Sequence, residues 1–275
     1  MAQTKERFPI EPFELFAIRY AWSGGRKLYD NFIAFDLHDD PSSSLDYFVW
    51  VARRSDKVFL IDTGFGLDAA KARRKDLYSL PKDALAHLGI KAEQIEDVIL
   101  THLHYDHAGT MGDFPKARFH LQDRDGSYAT GRCMCHQTLR FPFDVEDIVT
   151  YVRLLYSGRF CFHDGVENLA DGLSVHLIGG HTAGLQVVRV FTRRGWVVVA
   201  SDATHFYANM REGKPFPAVY NIGDMLEGHK TIVRLADSED HVIPGHDPLV
   251  TKLYPPPTPE LEGIVMRLDV PPRVL

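Results

Sequence analysis

The chain has 275 residues, of which 45% are hydrophobic and 25% charged, and its formal net charge is −6. That length supports a large buried core, and the balance is that of an ordinary globular protein. The mild acidity with no dominant basic patch argues against a nucleic-acid partner, and no apolar run approaches the ~18 residues of a membrane span.

The polar start, Met1 to Arg7, leads into no apolar stretch. A signal peptide is therefore not expected, and the cytoplasm is the expected compartment. Three cysteines, Cys133, Cys135 and Cys161, are too few and odd in number for a disulfide framework, which fits a reducing environment. Asp46–Ala52 and Val58–Asp62 read as strands of a hairpin around the polar turn Arg53–Lys57, ending in the glycine-rich loop Asp62-Thr63-Gly64-Phe65-Gly66. The clusters Arg53-Arg54, Arg73-Arg74-Lys75 and Arg193-Arg194 read as solvated turns or helix faces. Leu80–Gly89 reads as a short helix, with Pro81 in its first turn and Gly89 as its stop. Asp97–Thr101 is short, apolar and β-branched, as a buried strand is.

That strand runs into Thr101-His102-Leu103-His104-Tyr105-Asp106-His107, three imidazoles and a carboxylate in six positions from His102 to His107. Such density fits neither core nor solvated surface. Cys133-Met134-Cys135-His136 has no second pair at zinc-finger spacing, so it reads as ordinary thiols. Asp144–Tyr156 predicts a helix capped by Asp144, with Val145, Ile148, Val149, Val152 and Leu155 at helical spacing and Gly158 as its stop. It belongs to an expected helical insertion at 125–165, placed to cover a site. Leu173–Ile178 reads as a strand leading to Gly179-Gly180-His181. Gln186–Thr192 and Trp196–Ala200 read as a hairpin leading to Ser201-Asp202, and His241–Pro244 as a strand leading to Gly245-His246. The proline cluster at 254–259 launches an expected extended C-terminal tail.

His181, Asp202 and His246 thus follow apolar strands just as the histidine-rich segment does. If those strands lie in two packed sheets, all seven residues converge at one edge. Imidazole and carboxylate suit zinc, iron, manganese and related ions. Two histidines one residue apart can share an ion with a third from elsewhere, while Asp106 and His107 face a second ion. A bridging carboxylate and one more histidine would complete both sites. His38, His87, His120, His136, His163, His176, His229 and His241 read as polar core or surface groups.

His102-Leu103-His104-Tyr105-Asp106-His107 resembles the His-x-His-x-Asp-His motif of the metallo-β-lactamase superfamily. Asp62-Thr63-Gly64, Gly180-His181, Ser201-Asp202 and Gly245-His246 are similar to its other signatures, in the same order over about residues 45–250. The resemblance implies an α+β fold: an αββα four-layer sandwich of two mixed β-sheets flanked by helices, one domain over residues 1–275. It implies two divalent metal ions, zinc first, with iron, cobalt or manganese as alternatives. His102, His104 and His181 would hold one ion, Asp106, His107 and His246 the other. Asp202 would bridge them, and Asp62 would orient a ligand.

Within the superfamily the chain looks most like the N-acyl-homoserine lactonases, on Thr-His-Leu-His-Tyr-Asp-His-Ala-Gly, the helical insertion and Ile-Pro-Gly-His-Asp-Pro at 243–248. That resemblance implies quorum-quenching ring opening of a small-molecule lactone, with metal-activated hydroxide as nucleophile and Asp106 or Asp202 as proton shuttle. It departs at His205, where those lactonases carry a tyrosine against the substrate carbonyl; His205 is expected to donate to the developing oxyanion. A homodimer is among the forms expected. The rival readings on the same scaffold are a glyoxalase II-like thioesterase, a β-lactamase and a phosphodiesterase. The first is disfavoured by the few basic residues after His246, and the last by the charge balance. A diiron redox protein of this superfamily would carry glutamate where His104 or Tyr105 stands. No Gly-x-Ser-x-Gly elbow occurs.

Overall fold

The computed structural model describes residues 10–33 and 42–274. His38 and the Met1 to Arg7 segment lie outside the described residues. Along the described chain the strands are β1 (Glu14–Lys27), β2 (Ser42–Arg54), β3 (Lys57–Ile61), β4 (Asp76–Leu77), β5 (Asp97–Ile99), β6 (Arg118–Gln122) and β7 (Phe160–His163). They continue with β8 (Val166–Ala170), β9 (Leu173–Leu177), β10 (Gln186–Thr192), β11 (Gly195–Ser201), β12 (Val242–Pro244) and β13 (Val265–Arg267). An eight-stranded sheet runs β13-β1-β2-β3-β5-β6-β7, with β4 on β1, and a five-stranded sheet runs β12-β11-β10-β9-β8. Both are mixed: β3, β5, β6 and β7 pair in parallel, as do β11 and β12, and the remaining pairs are antiparallel.

Side-chain alternation builds the layers. Along β2, Phe48, Trp50 and Ala52 join a core shared with Val188, Val190, Val197 and Val199 of the smaller sheet. Val49 and Val51 point the other way, into a core shared with Leu85, Met111 and Tyr151. Val187, Val198 and Ala200 meet Ile232 of the helix Ile222–Leu235 on the far face of the smaller sheet. Helix, sheet, sheet, helix is the expected αββα order, and the fold is the metallo-β-lactamase fold.

The hairpin and the strand before the histidines form as read, while Leu80–Gly89 is one α-helical turn, Pro81–Ala84, continued as a 3-10 turn, Leu85–Leu88, that Gly89 ends. Two local expectations are corrected. The helix Val145–Tyr156 is capped by Asp144, which accepts from Glu146 N. Its inward face, however, is Ile148, Tyr151, Leu154 and Leu155, and Val145 and Val152 are exposed. The stretch after the proline cluster is no free tail, because β13 returns to pair antiparallel with β1, Ala17 opposite Met266.

Because β3 and β5 run parallel, their C-terminal ends deliver Asp62 and the Thr101–His107 segment to one edge. The parallel pair β11 and β12 delivers Ser201-Asp202 and Gly245-His246 to the same edge from the second sheet. That is where open α/β sheets place their ligands.

Candidate metal centre

Each predicted ligand sits just beyond a strand end, and all seven are brought together. The ligand atoms of His102, His104, His181 and Asp202 lie within 4.8 Å of one another, as do those of Asp106, His107 and His246. Asp202 sits between the groups. Its Oδ2 faces His181 Nε2 at 3.0 Å and His102 Nε2 at 3.8 Å, while its Oδ1 faces His246 Nε2 at 3.0 Å and His107 Nε2 at 3.4 Å. Asp106 approaches His246 at 3.8 Å and His107 at 3.9 Å. One carboxylate thus offers an oxygen to each half of the cluster.

The outward nitrogens are tied down, which aims the inward ones. His107 Nδ1 is 2.8 Å from Asp62 Oδ2, and Asp62 Oδ1 accepts from Thr101 N at 2.7 Å. His181 Nδ1 meets Ala218 O at 2.7 Å, and His246 Nδ1 meets Asp46 O at 2.9 Å. Ligating histidines require such partners. Asp62 (φ 61°) and Ser201 (φ 46°) hold left-handed backbone at the ends of β3 and β11. That conformation costs on the order of 1–3 kcal/mol per non-glycine residue, and here it turns the chain into the site. Gly245 is required for room, since a Cβ there would lie 2.6 Å from Asp202 Oδ1.

The residues fit two divalent cations. His102 Nε2 and His107 Nε2 are buried with no hydrogen-bond partner. Each such orphan costs ~1–3 kcal/mol, a cost that coordination to a cation removes. Burial, then the neighbouring histidines, hold His102 and His104 well below the usual imidazole range, so their lone pairs are free. Burial also lowers His107, but Asp202, Asp62 and Asp106 together outweigh it and raise that imidazole. Burial favours a protonated Asp202, and His205, His246, His107 and His181 together reverse this, leaving it ionised.

His205 is buried with its Nε2 3.1 Å from Asp202 Oδ2 and its ring stacked on Phe216 at 3.8 Å. Its geometry groups it with Asp202 and His246 as well. Burial pulls its pKa down to about 3 against the opposing pull of the Asp202 carboxylate. The Nε2 lies against the central carboxylate and Nδ1 has no partner, so the structure places His205 beside the cluster itself.

A pocket of about 580 Å³ opens over the cluster, lined in part by Tyr47, Tyr105, Phe141 and Phe216. Phe143 packs edge-on against His104 at 4.6 Å, and Tyr47 against His246 at 5.1 Å. Arg73, Arg74 and Lys75 also line this pocket, together with Arg26, so that basic run is not plain solvated surface as its composition suggests. Sequence reasoning missed Tyr47, Phe216 and these cations. It also missed Thr101, whose hydroxyl lies 2.9 Å from Asp62 Oδ2, and Ser201, 2.9 Å from that hydroxyl. Cys133, Cys135 and His136 join no ligand-type group among the described residues.

Residues 40–246 match the family model of the metallo-β-lactamase superfamily. A probable metallo-hydrolase of Mycobacterium tuberculosis is 23% identical over 231 residues, 73% of this chain and 74% of that protein. The N-acyl homoserine lactonase AiiB of Agrobacterium fabrum is 28% identical over 174 residues, 60% of this chain and 61% of that protein. Among solved structures, a quorum-quenching N-acyl homoserine lactone lactonase superposes with TM-score 0.72 at 19% identity, covering 87% of this chain and 94% of that one. The dizinc quorum-quenching lactonase AidC superposes with TM-score 0.69 at 17% identity, covering 87% and 90%. With the family model spanning most of the chain and the ligand-type residues gathered at one sheet edge, this protein belongs to the metallo-β-lactamase superfamily.

Proposed function

We propose that this metallo-hydrolase opens a lactone ring, that of an N-acyl-homoserine lactone or a related cyclic ester. The observation that carries the reading is Asp202, set between two ligand groups at the floor of an aromatic-lined pocket. His102, His104 and His181 would hold one divalent ion, Asp106, His107 and His246 the other, and Asp202 both, with zinc the first candidate. Such a pair supplies an acidified water and a Lewis acid for the carbonyl.

The chain's own residues do the rest. Asp62, Ala218 O and Asp46 O fix the imidazole tautomers through the outward nitrogens. Phe143, Tyr47 and Phe216 keep bulk water from the donor atoms. Asp106 and Asp202 both line the pocket, and Asp106 is the more exposed, 11% against 3%, so Asp106 accepts the proton released on attack and returns it to the ring alkoxide as that group leaves. The lactonase relatives at 28% and 19% identity support the choice of ester. The proposed substrate is a small molecule, of a size that the pocket of about 580 Å³ over the cluster would hold.

The test is a hydrolysis screen of metal-loaded protein with lactones, thioesters, β-lactams and phosphodiesters. Lactones are expected to turn over fastest. Faster turnover of any other class, with lactones untouched, would sink the reading.

A further inference from the structure

Three cations stand on the pocket wall, and each rests on a ring beside the cluster. Lys75 Nζ lies 5.5 Å from the Tyr47 ring, which packs on His246 at 5.1 Å. The Arg26 guanidinium lies 5.6 Å from the Phe216 ring, which stacks on His205 at 3.8 Å. The Arg73 guanidinium sits 3.9 Å over Tyr105, the residue between His104 and Asp106.

Their polar partners are neutral. Arg26 donates to Asn31 Oδ1 and Asp30 O, both at 3.0 Å. Lys75 donates to Ser23 Oγ at 3.0 Å, and Arg73 to Phe141 O at 3.0 Å and Phe143 O at 3.1 Å. Among the described residues no carboxylate forms an ion pair with any of the three. Elsewhere Arg19, Arg53, Arg54, Arg118, Arg211 and Arg273 are each paired with a carboxylate, while Arg159 and Arg194 donate to neutral oxygens as these three do. Burial, with Arg26 and Arg73 nearby, holds the Lys75 ammonium below its ordinary value, against the opposing pull of the Asp106 carboxylate. Asp147 stands near Arg73, and burial and Asp144 push its carboxyl up to about 7 against the pull of that guanidinium.

In a chain of net charge −6, cations gathered in one pocket outside any ion pair call for an anionic ligand. Neutral acyl-homoserine lactones carry none. We propose that the substrate is a lactone bearing a carboxylate, with its ring at the metal centre and its carboxylate held by Lys75, Arg26 and Arg73. This rests on the lactonase reading and narrows it. The aromatic rings beneath the cations set the distance between the carboxylate and the ester, which makes these three residues determinants of specificity.

The test compares zinc-loaded protein on 2-oxotetrahydrofuran-5-carboxylate and on its uncharged carboxamide. The carboxylate is expected to show about tenfold higher kcat/KM, mainly through KM, with the advantage shrinking as salt rises. Lys75→Met and Arg26→Gln should each cut that ratio about fivefold, and Lys75→Arg should restore it. Glutarate binding, read by calorimetry on protein of verified zinc content, should weaken in the same two variants. Equal or better turnover of the carboxamide, or ratios and glutarate binding unchanged in both variants, would overturn the inference while the lactonase reading stands. Turnover of neither ring, with other lactones still opened, would overturn this inference alone; turnover of no lactone would overturn both.

Discussion

Asp202 decides most at the scale of single residues. It faces His102, His181 and His205 with one oxygen and His107 and His246 with the other, so its loss opens both halves of the cluster. Asp202→Ala is expected to lower bound metal from two ions per chain to one or none and to abolish turnover, checked by elemental analysis and a hydrolysis assay. Full activity of the variant, or of metal-stripped protein, would refute the metal mechanism. His205→Phe separates a ligand from a neighbour, because phenylalanine preserves the stack on Phe216 and deletes the contact to Asp202. The expected outcome is two bound ions with impaired turnover; loss of one ion would make His205 a ligand instead. The ligands were readable in advance because only metal chemistry explains so many imidazoles and carboxylates at successive strand ends. Asp46 and Ala218 were not, since each contributes a backbone carbonyl that any residue type could supply. Lys75 and Arg73 were misread for another reason. A basic run looks the same in sequence whether it meets water or a pocket, and only the packing of Tyr47 and Tyr105 beneath it separates the two.

Among the elements, the helix Val145–Tyr156 shows how far periodicity reaches. Its limits and its Asp144 cap follow from the sequence, but its buried face does not. Two stripes compete, one of valines and one of Ile148, Tyr151 and Leu155, and tertiary packing selects the second. Tyr151 wins because Phe160 meets it edge-on at 4.9 Å and Gly126 lies against its hydroxyl, where a Cβ would clash. Tyr151→Ala is therefore expected to destabilise the protein by about 3 kcal/mol. Val152→Ser, on the exposed side, should stay within about 0.5 kcal/mol of the parent. Denaturant unfolding of both variants checks this, and equal losses would mean that the helix packs on its valine side. The long strand β1 went unread for a related reason. Ser23, Gly24, Gly25 and Arg26 break the alternation, and the structure absorbs them as a register shift between Ser23 and Arg26. That irregular stretch carries Arg26 to the pocket.

For the molecule as a whole, the site spans the two sheets. The segment after β5 supplies His102, His104, Asp106 and His107, and the turns after β9, β11 and β12 supply His181, Asp202 and His246, so any ion held there ties the layers of the sandwich together. Cations that bind the folded state and not the unfolded chain stabilise by mass action, about 4 kcal/mol when free metal is a thousandfold above Kd. In a protein of this size that is roughly ten degrees in melting temperature. Chelation is expected to lower the melting temperature by about that amount, and zinc to restore it. The effect should also depend on pH. Asp202, Asp62 and Asp106 raise His107 well above its usual range, so a proton competes with the metal for that nitrogen, and the metal concentration needed for half-saturation should climb as pH falls. Calorimetric melting with and without chelator, across a pH series, reads both effects. A melting temperature indifferent to metal at every pH would mean that the seven side chains meet without holding an ion between the sheets, and the hydrolase mechanism would lose its foundation.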